Sequence, residues 1–159
     1  MQVKLIVVGK LKEKYLKQGI AEYAKRLQAY CKFEVIEVKD EATPEEGSEA
    51  ELDLVRDKEG ERILAKIKAD DYVVHLALDG DLLDSEGLAK KLQNAMTHGK
   101  SSFVYVIGGS VGTSQAVRRR ADLNLSFGRL TLPHQLMRLV LVEQIYRSFR
   151  IQNHQPYHK

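Results

Sequence analysis

The stretch Val104–Gln115, VYVIGGSVGTSQ, carries residue types suited to holding a ligand. A β-branched run enters Gly-Gly-Ser-Val-Gly, and a polar segment leaves it. A strand that ends in glycines and hands over to a helix presents backbone N–H groups to a bound molecule. The spacing is not G-x-G-x-x-G, and no Lys-Ser/Thr pair follows as in a P-loop. Two more stretches read as unusual strand ends: LALDGDLLDSEG from Leu76, and SFGRLTLPHQ from Ser126. None of the three offers a nucleophile constellation, because Ser110 lacks the flanks of a nucleophile elbow. The five histidines are scattered without metal-ligand spacing, so no metal is expected. What remains is a mostly neutral crevice lined by backbone, suited to a nucleoside-type ligand better than to a triphosphate.

The elements that must position these stretches alternate. QVKLIVVG reads as a buried strand, and KEKYLKQGIAEYAKRLQAY places Tyr15, Leu16, Ile20, Tyr23, Leu27 and Tyr30 at helical spacing. KFEVIEVKD alternates like a strand near an edge. An acidic linker with Pro44 and Gly47 leads to a helix expected from about Ala50 to Lys68. DYVVHLALDG is a third strand. A third helix follows, capped by Ser85 or Asp84. SSFVYVIGG is a fourth strand, Ser114–Arg120 a short helix, LNLSFG a short strand, and Pro133–Ile151 the last helix, with proline in its first position. The order βαβαβαβαβα predicts one α/β domain over residues 1–159, with a mostly parallel sheet flanked by helices.

Composition narrows the functional classes. No apolar run reaches a membrane span, the N-terminus does not read as a signal peptide, and Cys31 is alone, so a cytoplasmic location is expected. The net charge is +3, but residues 40–61 carry net −8 and residues 113–150 net +5. All the cations of the second segment are arginines, which pair bidentately with phosphate. This asymmetry points to a polyanion on one side or to solvated helix faces. The last helix is apolar around most of its circumference. It is either buried centrally or a subunit interface. The interface, with two-fold homodimeric symmetry and Val142 facing outward, is the favoured expectation.

FVYVIGGSVG, the block LSFGRLTLPHQLMRLVLVEQIYRSFRI and the terminal PYHK together resemble the RlmH family of SPOUT methyltransferases. The similarity runs from VGKLKEKY to the last residue. It implies a trefoil-knotted C-terminal half, an obligate homodimer, and methylation of N3 of a pseudouridine in 23S (large-subunit) ribosomal RNA with S-adenosylmethionine. By the same resemblance the cofactor contacts fall at Leu76, Gly108, Phe127, Gly128, Arg129, Leu130, Thr131 and Leu132. Gly108 would admit close approach of the ligand, and Leu76, Leu130 and Leu132 would wall the adenine. No metal and no membrane enter this reading.

The target nitrogen lies between two carbonyls and carries a proton, so the site must assist deprotonation or stabilise the imide anion. His158, Arg147 and Tyr157 are the catalytic candidates, with Lys159 and His134 behind them. An imidazole serves as base or hydrogen-bond anchor. A guanidinium stabilises an anion or binds phosphate, and a tyrosine stacks on a base. Arg118, Arg119 and Arg120 are either phosphate contacts or solvated charge. The small size favours assembled ribosomes as substrate. A SPOUT enzyme acting on transfer RNA and a catalytically silent RNA-binding module remain open alternatives.

Overall fold

The computed structural model describes residues 1–159. Its elements are β1 (Gln2–Val8), α1 (Lys14–Leu27), β2 (Lys32–Val38), α2 (Glu49–Leu64), β3 (Tyr72–Leu82), α3 (Ser85–Thr97), β4 (Ser102–Ile107), α4 (Gln115–Arg120), β5 (Leu123–Ser126) and α5 (His134–Gln152). All five strands form one sheet in the order β2-β1-β4-β3-β5, and every pair is parallel.

Helix ends follow local chemistry. Ser48 caps α2 through a capping box with Glu51, so this helix begins at Glu49 and ends at Leu64, four residues short of Lys68. Asp84, not Ser85, caps α3 by accepting from the Gly87 N–H. Ser114 caps α4 and stands outside it, and Pro133 occupies the cap position of α5.

Strand alternation feeds two cores. Val3, Leu5 and Val7 of β1 pack on one face with Phe103, Tyr105 and Ile107 of β4. Ile6 and Val8 pack on the other with Val104 and Val106. The first face is covered by α1, α3 and α5, the second by α2 and α4. This division follows from right-handed crossovers, since connections running opposite ways along the sheet land on opposite faces. Tyr15 falls on the solvent side of α1, unlike the other apolar positions of that helix.

The all-round apolarity of α5 reflects central burial: the helix lies between α1 and α3. Val142 is 0% exposed and does not face outward. Arg138, one of the arginines counted toward a phosphate-binding face, is also inside, at 2% exposure. Its guanidinium donates to the carbonyls of Val8 and Gly9 (2.8 and 3.0 Å) and to Glu37 Oε2 (3.1 Å). The arginine thus caps the carboxyl end of β1 through its last carbonyls and ties it to the Glu37 side chain of β2. The half-buried positions left on α5 include Leu136, Val140, Glu143 and Arg147, which recur at helical spacing.

Candidate ligand cavity and C-terminal cluster

At the carboxyl ends of β3, β4 and β5 a cavity of about 860 Å³ opens. That is the size range of small-molecule sites. Its first wall is an interruption in β3. Leu76 pairs with Leu125 of β5, and so does Asp81, with residues 77–80 leaving the ladder between them. Ala77, Leu78 and Asp79 are thereby pushed into the cavity wall. Gly80 is required where the strand returns, because a side chain there would sit 2.5 Å from the Asn124 carbonyl oxygen.

The second wall is the glycine loop. Its turn is closed by the Gly112 N–H donating to the Gly109 carbonyl (3.1 Å), with Gly112 at φ +88°. Arg56 of α2 reaches across to the Val111 carbonyl (2.7 Å). A side chain at Gly108 would overlap the Cγ2 methyl of Thr113, and one at Gly109 would approach Glu59 Oε1 to 2.6 Å. Close packing within the loop, and not an incoming ligand, already requires glycine at 108.

The third wall is the segment after β5. Ser126 Oγ donates to the Leu78 carbonyl (2.9 Å) and accepts from the Gly128 N–H (3.1 Å), tying the second lip of the cavity to the first. Gly128 turns the chain at φ +116°. Leu76, Gly108, Phe127, Gly128, Leu130, Thr131 and Leu132 all line this one cavity. Arg129 does not; its side chain is exposed outside it. Leu130 is 87% exposed, and Leu78, Phe127 and Leu132 also present apolar surface at the mouth.

Polar residues that sequence reasoning did not single out complete the lining: His75, Asp79, Thr113, Gln115 and Arg118. Arg118 pairs with Asp79 (3.1 Å), so one of the three consecutive arginines is engaged at the cavity edge. Arg120 is engaged elsewhere, on the carbonyls of Lys68 and Asp71, while Arg119 is exposed. A second cavity of about 1440 Å³ lies beyond the ends of β1 and β2 and reaches the loop after β4. It shares Gly109, Ser110 and His134 with the first. Glu59 is buried there at 4% exposure. Its Oε2 accepts from the Glu41 N–H (3.0 Å), Oε1 is unpartnered, and burial raises its pKa above the ordinary carboxylate range.

The chain terminus is folded against α5. Arg147 Nη1 donates to His158 Nδ1 (3.0 Å), and the guanidinium stacks over the Tyr157 ring at 4.8 Å. Arg147 is held in turn by Glu143 (2.7 Å), which also accepts from the Tyr157 hydroxyl (3.2 Å). Tyr157 packs edge-on against Tyr146 (5.0 Å between centroids). Burial, then the Tyr23 and Glu143 neighbours, raise the Tyr157 pKa, so its phenol keeps its proton. The three residues expected to act together are therefore one cluster. Lys159 is exposed. His158 lines a third cavity of about 490 Å³, which shares Leu125, Phe127 and Gly128 with the first. A guanidinium only donates, so His158 Nδ1 is an acceptor, and the proton of the neutral ring sits on Nε2, 3.6 Å from Glu86.

A family model described as predicted SPOUT methyltransferase matches residues 1–158. Among curated relatives, the chain is 62% identical to ribosomal RNA large subunit methyltransferase H of Latilactobacillus sakei. It is 60% identical to that of Listeria monocytogenes and 58% to that of Bacillus pumilus, in each case over 100% of both chains. Among solved structures, a probable methylase family protein from Haemophilus influenzae Rd KW20 superposes with a TM-score of 0.52 at 13% identity. The match covers 99% of this chain and 70% of that one, a likeness of fold. No helix is long and apolar enough to cross a membrane.

Proposed function

The chain belongs to the SPOUT methyltransferase family, in its ribosomal RNA large subunit methyltransferase H branch, and from that premise we propose that it methylates N3 of a pseudouridine in 23S ribosomal RNA, using S-adenosylmethionine. The observation that carries this reading is the adjacency of two sites. The cavity at the ends of β3, β4 and β5 suits a nucleoside, and the Arg147–Tyr157–His158 cluster borders, through His158, the third cavity, which shares its wall at Leu125, Phe127 and Gly128.

The residues present fit the cofactor. Gly112 and Gly128 leave open space beside their backbone, and Leu76, Leu130 and Leu132 supply apolar walls for an adenine. When bound there, S-adenosylmethionine supplies an electrophilic methyl sulfonium. Everything else falls to the chain. Arg147 and the Nε2–H of His158 stabilise negative charge on the imide as its N3 proton passes to solvent water. With Nδ1 occupied by Arg147, His158 acts as donor and anchor and not as the base. Tyr157 stays protonated, orients Arg147 by stacking and offers an aromatic face to a base.

A homodimer belongs to the same proposal. The apolar mouth around Leu130 and the half-buried stripe of α5 at Leu136 and Val140 are surfaces a second copy would cover. The trefoil threading that the resemblance implies is part of the same proposal. Assembled ribosomes, in the cytoplasm, are the proposed substrate, because so small a chain reads folded RNA shape and not an extended sequence.

The test is methyl transfer from labelled S-adenosylmethionine to ribosomes from cells lacking the gene, with the modified nucleoside mapped by mass spectrometry. Label at N3 of one pseudouridine of 23S RNA is the expected result. Label on transfer RNA only, or none on ribosomes, would overturn the proposal.

A further inference from the structure

One wall of the cofactor cavity has its hydrogen positions dictated by the fold. The relay starts at the Arg118 carbonyl, among the last four of α4, which lack intrahelical donors. A carbonyl only accepts, so Asn124 turns its amide nitrogen toward it (Nδ2 to O, 3.3 Å). The Asn124 Oδ1 therefore faces His75 Nδ1, at 2.8 Å. An amide oxygen only accepts as well, so Nδ1 carries the ring proton. His75 is 1% exposed, and burial lowers its pKa, with Arg118 opposing protonation and Asn124 and Asp79 favouring it. The neutral ring leaves Nε2 as a bare lone pair. Thr113 Oγ1 stands 2.6 Å from it and must direct its hydrogen there. Thr113 makes no other side-chain hydrogen bond, so it offers the cavity lone pairs alone.

We propose that Thr113 is a specificity-determining residue of the cofactor cavity, an obligate acceptor that selects a nucleoside presenting an N–H or O–H at that point, and that His75 is the positioning residue that fixes this polarity. The inference rests on the S-adenosylmethionine reading and deepens it. The donor is either the adenine exocyclic amine or a ribose hydroxyl. Either leaves Thr113 paired, whereas a ligand carrying an acceptor there meets lone pair against lone pair.

Calorimetry on the full chain tests this with four probes: S-adenosylhomocysteine, its inosine counterpart with a carbonyl in place of the amine, and its 2′-deoxy and 3′-deoxy forms. The wild type is expected to discriminate at the recognised position by about tenfold or more. Thr113→Val, which keeps the side chain's shape, should bring that one ratio close to one and leave the others unchanged. Thr113→Ser should restore it. Collapse of the inosine ratio assigns the donor to the base, and collapse of a deoxy ratio assigns it to the ribose.

His75→Phe frees the Thr113 hydroxyl to turn either way. It should erode the same ratio, whereas a merely structural role would weaken all four ligands equally. Should that variant fail to fold, the Thr113 pair still decides the matter. Unchanged ratios in Thr113→Val overturn the proposal alone. Absence of S-adenosylhomocysteine binding by the wild type overturns the cofactor reading and this proposal with it.

Discussion

Gly108→Ala is expected to destabilise the chain through one neighbour, Thr113. The new methyl would overlap Thr113 Cγ2 and press on the backbone of Gly112 at 3.2–3.3 Å. Two relaxations are open. If Thr113 keeps its place, the loop is overpacked, at a cost of about 1–3 kcal/mol. If Thr113 rotates, its hydroxyl leaves His75, whose buried Nε2 loses its partner, again at a cost of about 1–3 kcal/mol. Either way the loss is about 2 kcal/mol, which lowers Tm by roughly 4–8 °C in a chain of this length.

Thr113→Ser removes Cγ2 and keeps the hydroxyl. In that background the overlap with Cγ2 is gone, and the Gly112 backbone at 3.2–3.3 Å is the nearest neighbour left to oppose the new methyl. Gly108 is not at positive φ, and Gly→Ala at a compatible position returns about 0.4–1 kcal/mol through the unfolded chain. The substitution should then be close to neutral, giving a coupling of about 1.5–2 kcal/mol in a double-mutant cycle. Urea unfolding of the four proteins at a common m-value measures it. Equal destabilisation by Gly108→Ala in both backgrounds would refute the assignment of this glycine to Thr113.

Arg138→Met should cost about 2–4 kcal/mol in urea unfolding, since the Val8 and Gly9 carbonyls lose their donor while Glu37 rehydrates. Glu59→Gln should raise Tm at pH 7–8, with the advantage shrinking as pH falls. A carboxyl whose folded pKa is raised carries its burial penalty above that pKa and loses it below the unfolded value, so a pH-independent gain would contradict the assignment. Val142→Glu should unfold the chain, placing a charge at a site with no exposure, whereas Val140→Glu should leave the fold intact and yield monomers in sedimentation. Deleting Tyr157–Lys159 should preserve S-adenosylhomocysteine affinity and abolish most methyl transfer to ribosomes; full activity would exclude the terminal cluster from the site.

Element order, the edge position of β2 and the three strand ends that build the cavity were all legible in residue pattern, because period-2 runs, caps and glycines act locally. The setting of α5 was not. A helix apolar on every side satisfies both a central slot and a subunit interface, and only the placement of α1 and α3 on one sheet face decides between them. Arg138 illustrates the same limit, since its charge suggested a surface and its three acceptors came from β1, β2 and the turn after β1. Gly108 was legible as a position needing glycine, but not the neighbour that needs it. The His75–Asn124–Thr113 relay left no signal at all, because its members lie 38 and 49 residues apart and belong to no motif.

The strand order carries a consequence for synthesis. β1 is an interior, apolar strand, yet Gln2 pairs with Ser102, 100 residues further along the chain. At roughly 5–20 residues per second, the ribosome delivers β4 about 5–20 s after β1. Through that interval β1 has only β2 beside it, and its other edge, later sealed by β4, stands open. Until β4 emerges, that open apolar edge is a template on which a strand of another chain could pair, while the nascent chain of a protein proposed to modify ribosomes is still attached to one.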